Sequence, residues 1–339
     1  MKLVFVLPGR GNSGGVRCTS LLAKGLRDRG HDVRILYQAP NLEGSCRSIW
    51  TRLLGSQDWF RDFPGQVTSF KDLSQCSFRS SEIIIGVGMA MSYQIGLLDS
   101  LPNPRVQYIH GSTPRDPILR QKTLGMSLPK IVVASYLKEM VKAIGGSDVL
   151  AVVHNGVDFS EYYSAASEAQ RDGIGTIYSS SSAKDPSTVL AVITELLSSQ
   201  PGVPIRVFGG SRRPRELPRS IYSRFPSLGR ARDIYSRSQV WILGSESEGF
   251  PAPVLEAMAC GCVVVATDCG GPRDEVIDGE TGYLVPVGDV GKIVERVLIL
   301  MNDAKLRERI RNNSLKAVKH FSWEKCILGL ETALQTVDV

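Results

Sequence analysis

The sequence lacks the features that mark several large classes of protein. No apolar run approaches the roughly 18 residues of a membrane-spanning helix, and the run at residues 3–7 ends at Pro8 and Gly9, short of a signal-peptide core. The seven cysteines form no Cys-x-x-Cys pair, no His/Cys cluster has the spacing of metal ligands, and no Gly-x-Ser-x-Gly turn occurs. We therefore expect a cytoplasmic protein with reduced thiols and no bound metal, and neither a disulfide-rich secreted domain nor a serine hydrolase.

Length and charge limit the organisation of the chain. One hydrophobic core seldom supports more than roughly 250–300 residues, so 339 residues predict two domains. Residues 1–158 carry 19 Lys+Arg and 12 Asp+Glu, net +7, which leaves 21 and 22, net −1, for the rest of the chain. The basic first half fits an acidic partner, such as the inner face of a membrane or a polyanionic acceptor, although solubility alone also explains it. No nucleic-acid partner is expected.

Short apolar runs alternate with amphipathic helices along both halves of the chain. This alternation is typical of a parallel sheet with helical crossovers, and it occurs twice. A polar stretch between residues 155 and 175 separates the two sets and predicts a linker. The fold class is therefore α/β, with two doubly wound, Rossmann-like domains and a ligand site expected in the central cleft that they face. The predicted strands cover residues 2–7, 32–37, 82–87, 105–110, 130–134 and 149–153, then 175–178, 205–208, 239–243 and 262–267.

The most informative stretch is residues 245–271, which holds two glutamates eight positions apart. Helix-breaking residues follow Glu248, and residues 254–259 are predicted to form a short helix that carries Glu256. The free N–H groups of residues 249–253 are expected to point toward a diphosphate or sugar oxygen. The carboxylates themselves accept hydrogen bonds from vicinal hydroxyls, as in a ribose or a pyranose. A solvated helix with two surface glutamates is the alternative interpretation.

This stretch resembles the Glu-x7-Glu motif of the retaining glycosyltransferases of family 4. The continuation Leu-Glu-Ala-Met-Ala-Cys-Gly, an apolar strand, a Gly-Gly pair and then Glu275 extend the resemblance. The resemblance implies that Glu248 contacts the donor sugar in a catalytic role and that Glu256 holds the ribose of the nucleotide. It also implies transfer of a hexose or deoxyhexose from a nucleoside diphosphate sugar to a hydroxyl, with retention and with no cofactor besides that donor.

The family has the GT-B architecture, and the resemblance implies the same domain plan here. We expect an acceptor-side domain at residues 1–158, a donor-binding domain at residues 159–321, and a final helix within residues 322–339 that crosses back to the first domain. The basic first domain weakly suggests a lipid-linked or polyanionic acceptor, as in surface polysaccharide or glycolipid synthesis. Two other interpretations stay open: an epimerase- or phosphorylase-like enzyme, and a non-catalytic binder of a sugar nucleotide.

Charge for the diphosphate is expected at three further places in the second half. The family usually provides an Arg and then a Lys after the first strand of this domain; the sequence keeps Lys184 but has serines at residues 179–182. Arg212 or Arg213, just after the strand end at Gly209, is our hypothesis for the missing charge, and a solvated basic face is the alternative. The remaining donor-binding residues are predicted around the helix start, at Gly249, Phe250, Pro251 and Ala252.

Two features of the first half are also candidates. Residues 9–14 read Gly-x-Gly-x-x-Gly, which is typical of a dinucleotide site, but the second strand ends at Gln38 without the acidic residue that such a site uses for the ribose. The same turn resembles the family's Gly-Gly turn, with Gly14 and Gly15 near the donor phosphate; a turn that needs glycine for steric reasons alone is the alternative. His110 ends a strand and is a candidate catalytic or donor-contacting group, unless it is simply packed.

Overall fold

The computed structural model describes residues 1–11, 13–40, 58–113, 115–146 and 149–337, and it divides into two compact units. Unit 1 consists of Met1–Asn155 together with Trp323–Val339, and unit 2 is Gly156–Ser322. These divisions lie close to the boundaries expected at residues 158 and 321. Each unit is built on its own parallel sheet.

Unit 1 contains a seven-stranded sheet in the order β3-β2-β1-β4-β5-β6-β7, and all of its strand pairs are parallel. Central strands of such a sheet are covered on both faces, which explains why the residues of the first and fourth strands are almost wholly apolar and buried. The strands are β1 (Lys2–Leu7), β2 (Asp32–Gln38), β3 (Val67–Phe70), β4 (Glu82–Val87), β5 (Arg105–Ile109), β6 (Lys130–Val132) and β7 (Val149–Val152), and the helices are α1 (Gly14–Asp28), α2 (Gly88–Gly96), α3 (Pro117–Leu124), α4 (Ser135–Ile144) and α11 (Trp323–Gln335).

Unit 2 contains a six-stranded parallel sheet in the order β10-β9-β8-β11-β12-β13. Its helices α5, α9 and α10 begin after Asp185, Asp289 and Asp303, and each Asp accepts a hydrogen bond from a backbone N–H of the first turn. The strands are β8 (Gly173–Ile177), β9 (Ile205–Gly209), β10 (Tyr222–Arg224), β11 (Ser238–Leu243), β12 (Val263–Thr267) and β13 (Gly282–Val285), and the helices are α5 (Pro186–Ser199), α6 (Leu228–Arg237), α7 (Ala252–Ala259), α8 (Pro272–Glu275), α9 (Val290–Asn302) and α10 (Ala304–Ala317).

The prediction of two Rossmann-like α/β domains is confirmed, with three local differences. The first helix, which the apolar pattern predicts at residues 20–29, begins at Gly14, where Ser13 accepts a hydrogen bond from Val16 N–H. The edge strands β3, β10 and β13 were not predicted, because each has only three or four residues, and β3 and β10 are polar as well. Helix α7 begins at Ala252, so Pro253 lies inside its first turn, where a missing N–H is tolerated.

The last helix completes unit 1. Helix α11 packs against α1 and β7, and Glu331 on α11 accepts hydrogen bonds from Arg29 (2.7 Å) and lies 2.6 Å from Nε2 of His31. A side chain on Gly25 of α1 would overlap Ile327, so glycine allows the two helices to approach closely. Unit 1 is therefore assembled from both ends of the chain.

Candidate functional site

The candidate site of unit 2 is formed by loops at the carboxyl ends of its strands, the edge at which parallel α/β sheets bind ligands. The loop after β8 holds the loop after β11, because the carbonyl of Ala183 accepts hydrogen bonds from the N–H groups of Glu246 (3.0 Å) and Ser247 (3.1 Å). The loop after β12 is tied to the same place, since Glu248 N–H bonds to Cys269 O (3.3 Å) and Gly271 N–H bonds to Glu248 O (3.1 Å). Three loops are thus fixed around Glu248.

Glu248 is buried and forms an ion pair with Lys184. The Lys184 Nζ lies 2.6 Å from both carboxylate oxygens of Glu248, and Ser245 Oγ donates to one of them at 2.7 Å. Glu248 is only 6% exposed, whereas 35% of the Lys184 side chain is exposed to solvent. The structure therefore brings together two residues that the sequence predicted for the donor sugar and the diphosphate.

The glycine pair at the end of β12 is required by the protein's own backbone. Gly270 has a φ of 113°, a conformation that L side chains rarely adopt, and a side chain on Gly271 would overlap the carbonyl oxygen of Gly249. Only glycine lets this segment lie against the Glu248–Gly249 backbone.

The start of α7 differs from the prediction in its supply of N–H groups. Pro251 and Pro253 have no backbone N–H, so the expectation that all of residues 249–253 offer one was wrong. Gly249, Phe250 and Ala252 are the residues of this stretch that carry an N–H. Anion binding at this position would depend on these three groups.

Glu256 lies on α7 with a partner of its own. It is 7% exposed and accepts a hydrogen bond of 3.0 Å from the Tyr235 hydroxyl. Burial, followed by the charge on Glu256, raises the pKa of Tyr235 well above its usual range, so Tyr235 remains a donor at neutral pH. The solvated-helix interpretation is wrong for both Glu248 and Glu256, because both side chains are buried.

Glu275 is a third buried carboxyl group near this site. It ends the short helix α8, is 2% exposed, and neither of its carboxyl oxygens has a hydrogen-bond partner among the described residues. Burial, followed by the charge on Glu248, raises its pKa well above the usual range, while the Lys184 charge lowers it. This environment favours the protonated form of the carboxyl group, which can donate a hydrogen bond.

The arginines after β9 form a basic cavity. Gly209 ends the strand against β8, where a side chain would overlap the carbonyl oxygen of Tyr178. Arg213 donates to the carbonyls of Pro214 and Leu217 within its own loop, whereas Arg212 is exposed. The cavity has a volume of about 510 Å³ and is lined by Arg212, Arg213, Pro214, Arg215 and Arg219.

The predicted residues of unit 1 lie at the carboxyl edge of its own sheet. Gly14 and Gly15 begin α1, and a Cβ on Gly15 would lie 3.8 Å from Nδ1 of His110, which follows β5. Burial lowers the His110 pKa to about 4, and its Nε2 is buried without a hydrogen-bond partner among the described residues. His110 is therefore neutral at physiological pH and packs against Tyr108, with ring centroids 4.3 Å apart.

Sequence reasoning missed several residues that position the site. Ser245 and Tyr235, which hold the two glutamates, stand in no recognisable motif. Ser180 belongs to the stretch where the family usually has Arg. Its N–H donates to Ser211 Oγ at 2.9 Å, so it lies next to the loop that carries Arg212 and Arg213. Among the described residues, no group of three or more His, Cys, Asp or Glu could hold a metal ion. Nor does any helix in the described ranges have the length and apolar character needed to cross a membrane.

Comparison with known proteins finds glycosyltransferases among the relatives of this chain. Residues 180–317 match the family model described as Glycosyl transferases group 1. An uncharacterized glycosyltransferase of Methanocaldococcus jannaschii is 39% identical over 97 residues, which are 29% of this chain and 28% of that protein. The D-inositol 3-phosphate glycosyltransferase of Nocardia farcinica is 27% identical over 227 residues, or 58% of this chain and 50% of that protein. The matches thus span about a quarter to a half of these curated relatives.

The fold extends the likeness to the whole chain. The crystal structure of the Anabaena protein HepE in complex with UDP and glucose has a TM-score of 0.77 at 17% identity, over 99% of this chain and 100% of that one. Two Rossmann-like units on separate parallel sheets define the GT-B class of folds. Within that class of folds, residues 180–317, which lie in unit 2, match the group 1 glycosyltransferases. The prediction of a glycosyltransferase from the Glu248 segment is confirmed for this region of the chain.

Proposed function

We propose that this protein transfers a hexose or deoxyhexose from a nucleoside diphosphate sugar to a hydroxyl acceptor, with retention at the anomeric carbon and without a metal ion. The observation that carries the proposal is the contact between Lys184 and Glu248 at the carboxyl edge of the second sheet. It puts a cation for a diphosphate next to a carboxylate for sugar hydroxyls. The family match supports a sugar nucleotide, and a similar protein was crystallised with UDP and glucose.

Different residues of unit 2 bind different parts of the donor. Glu248 accepts hydrogen bonds from the sugar hydroxyls, and Glu256, oriented by Tyr235, accepts them from the ribose. Lys184 and the N–H groups of Gly249, Phe250 and Ala252 bear the charge of the departing diphosphate. In unit 1, Gly14 and Gly15 leave room for the donor phosphate or the acceptor, and neutral His110 contacts the donor sugar as a hydrogen-bonding group.

The reaction that fits these groups is a front-face displacement. The acceptor oxygen forms a bond to the anomeric carbon on the face from which the diphosphate leaves, the bond from that carbon to the phosphate oxygen breaks, and the acceptor proton passes to the departing phosphate. No protein nucleophile is needed, and the proton and the electron pair both end on the leaving group. Lys184 and the N–H groups stabilise the charge that develops there.

Arg212 is the proposed replacement for the family's missing arginine. Ser180, one of the serines in the stretch where that arginine is expected, contacts Ser211 through both its N–H (2.9 Å) and its hydroxyl (3.1 Å), so the chain next to Arg212 lies beside this stretch. Arg213 fits less well, because its guanidinium is held by carbonyls of its own loop. Arg212→Ala is expected to weaken nucleotide-sugar binding more than Arg213→Ala, and unchanged affinity in both would reject the role.

The acceptor is proposed to be lipid-linked or polyanionic. The net charge of +7 over residues 1–158 supports this, as does exposure of 67% at Ile118 on α3, a helix that also carries Arg120 and Lys122. An apolar side chain among basic ones fits a peripheral contact with an anionic membrane. Synthesis of a surface polysaccharide or a glycolipid would need such an acceptor.

The test is thermal stabilisation by UDP, GDP, ADP, TDP, CMP and NADH, with Glu256→Ala and Glu256→Gln beside the wild type. A ligand at tenfold its Kd adds roughly 1.4 kcal/mol of stability, so one nucleoside diphosphate should raise the Tm of the wild type but not that of Glu256→Ala. Stabilisation by NADH alone would replace the proposal with a dehydrogenase. Product analysis then follows: sugar released or epimerised without acceptor would indicate a phosphorylase- or epimerase-like enzyme.

A non-catalytic binder is the second candidate, and one observation favours it. Serine occupies the position at which the family's diphosphate-binding arginine is expected, so the leaving group has fewer cations than usual. Such a protein would be stabilised by a sugar nucleotide and would show no turnover with any pool of lipid or polysaccharide acceptors.

A further inference from the structure

We propose that the arginine-lined cavity after β9 is a second phosphate site, which binds a diphosphate or longer polyphosphate group apart from the donor. The cavity has a volume of about 510 Å³. Its lining, among the described residues, includes no acidic side chain and none of Lys184, Glu248 and Glu256. The proposal rests on the proposed function only for the position of the donor. The lining residues are Arg212, Arg213, Pro214, Arg215 and Arg219.

Positive charge is concentrated in the segment that forms this cavity. Residues 206–237 carry nine Arg, no Lys and two acidic residues, net +7, whereas the rest of unit 2 carries 11 Lys+Arg and 18 Asp+Glu, net −7. The two charges cancel over the whole unit, so the basic segment does not serve solubility by giving the unit a net charge. A local excess of one sign instead attracts ions of the other sign to that place.

The arginines of the cavity differ from other arginines of the same segment in their partners. Arg206 forms an ion pair with Asp172, and Arg230 forms one with Asp233 at 2.8 Å. None of the four lining arginines forms an ion pair with a described residue. Four guanidinium groups around one cavity repel each other, and an anion that enters the cavity turns this repulsion into attraction.

The backbone that carries the lining arginines is held in place. Leu217 is 1% exposed and packs in the hydrophobic core of unit 2, which ties the middle of the loop to the sheet. The Tyr222 hydroxyl donates to Ser211 O at 2.6 Å and ties its beginning. Nη1 of Arg213 donates to the carbonyls of Pro214 and Leu217, which fixes that guanidinium within the lining. A lining fixed in this way loses little conformational entropy when a ligand binds.

The number and kind of these charges favour phosphate groups over a single carboxylate. Guanidinium groups bind phosphate oxygens through two parallel hydrogen bonds. Each phosphate group carries roughly 1.5–2 negative charges, so about two of them balance four arginines. With Arg212 assigned to the donor, the other three arginines still match nearly two phosphates. A free polyphosphate and an ester of pyrophosphate both present this chemistry.

The test measures the binding of inorganic pyrophosphate by calorimetry, with the donor site filled by a saturating amount of the nucleoside diphosphate found to stabilise the wild type. Two double variants are compared with the wild type. The cavity variant combines Arg215→Gln with Arg219→Gln. The control variant combines Arg230→Gln with Lys292→Gln, which removes two positive charges of unit 2 that are ion-paired at the surface.

The wild type should bind pyrophosphate in the presence of the nucleotide. The cavity variant should bind it at least about tenfold more weakly, because charge-assisted hydrogen bonds from two guanidinium groups are lost. The control variant should bind it as the wild type does. All three proteins should have the same affinity for the nucleoside diphosphate, and thermal unfolding shows that the comparison is made on folded protein.

Three results would overturn the proposal and leave the proposed function intact. They are no binding of pyrophosphate by the nucleotide-saturated wild type, equal weakening in the cavity and control variants, and loss of nucleoside diphosphate affinity in the cavity variant. The last result would make the cavity part of the donor site. If no nucleoside diphosphate binds the wild type, the proposed function fails. Pyrophosphate titrations of Lys184→Met, with and without the two cavity substitutions, then still decide whether the cavity binds pyrophosphate.

Two further probes distinguish the sources of the phosphate group. Geranyl pyrophosphate is an ester, and inorganic tripolyphosphate is a free polyphosphate. Tighter binding of the ester than of tripolyphosphate would assign the cavity to a molecule linked through pyrophosphate, and the reverse order would assign it to a free polyphosphate. Failure of both to displace pyrophosphate would overturn the proposal.

Discussion

The glycine turn after β1 in unit 1 and the glycines after β9 and β12 in unit 2 are present for different reasons. In unit 1, a Cβ on Gly9, Gly11 or Gly14 would meet none of the described residues within 4 Å, so the packing of those residues does not require glycine there. In unit 2, a side chain on Gly209 or Gly271 would overlap a backbone oxygen of a neighbouring loop or strand. The steric alternative for the glycine turn at residues 9–14 is therefore not supported, and open space next to a helix start is what an approaching ligand needs.

The largest effect on stability is expected from a substitution at the carboxyl edge of the unit 2 sheet. Gly271→Ala would push the segment after β12 away from the carbonyl of Gly249 and with it the hydrogen bond between Gly271 N–H and Glu248 O. We expect a loss of about 2–4 kcal/mol in the free energy of unfolding, measured by denaturant titration, with loss of nucleotide binding. A variant as stable as the wild type would show that the two loops can separate freely and that the contrast between the edges is false.

Each unit contains a buried titratable group, and the two groups should make stability depend on pH in opposite directions. Glu275 in unit 2 binds its proton more tightly in the folded than in the unfolded chain, so its contribution to stability falls as pH rises above about 4.5, by at most about 1.4 kcal/mol per pH unit. His110 in unit 1 has the opposite sign: its pKa of about 4 means that stability is lost as pH falls from about 6.5 through 4.

Substitution of Glu275 or of His110 should remove one of these two pH dependences of stability and leave the other. Glu275→Gln is expected to be more stable than the wild type at pH 8 and to show little difference at pH 4, whereas His110→Asn should reduce only the loss between pH 6.5 and 4. Denaturation midpoints measured from pH 4 to 8 check both. If Glu275→Gln were less stable than the wild type at every pH, the Glu275 carboxyl would be ionised and bound to a partner.

The smallest effect is expected at the first glycine turn. Gly14→Ala places a side chain at the first residue of α1, where it would meet none of the described residues within 4 Å. Alanine has less conformational freedom than glycine in the unfolded chain, so this replacement stabilises a helix by up to about 0.5–1 kcal/mol. We expect unchanged or slightly higher Tm together with weaker binding of the sugar nucleotide. Unchanged affinity would mean that the turn does not approach the donor.

Much of the fold was predictable because buried parallel strands are continuous apolar runs. Residues 2–7 and 82–87 could be assigned from composition alone, and the Glu248 segment identified the family. The edge strand Val67–Phe70 could not, since only one of its residues is buried and its pattern is that of a loop. The edge strand Gly282–Val285 was missed for a different reason: it is apolar and largely buried, but four residues are too few to show a strand pattern.

The sequence predicted which residues lie in the site, but not which of them contact each other. Lys184 and Glu248 stand 64 positions apart, and their pairing depends on backbone bonds to Ala183 that no motif encodes. The error at residues 251 and 253 is different in kind, because the sequence itself shows prolines there. Arg213 could not be separated from Arg212 by sequence, as only the fold of the loop shows which guanidinium is held by carbonyls.

The composition of unit 1 from two distant segments sets the order in which the protein can be completed. Unit 2 is continuous, from Gly156 to Ser322, and all of it is synthesised before α11. The surface of α1 and β7 that receives Cys326, Leu330 and Leu334 therefore stays uncovered while the second unit is made. The unit that is begun first is finished last, and its exposed apolar surface is a natural point for chaperone binding during translation.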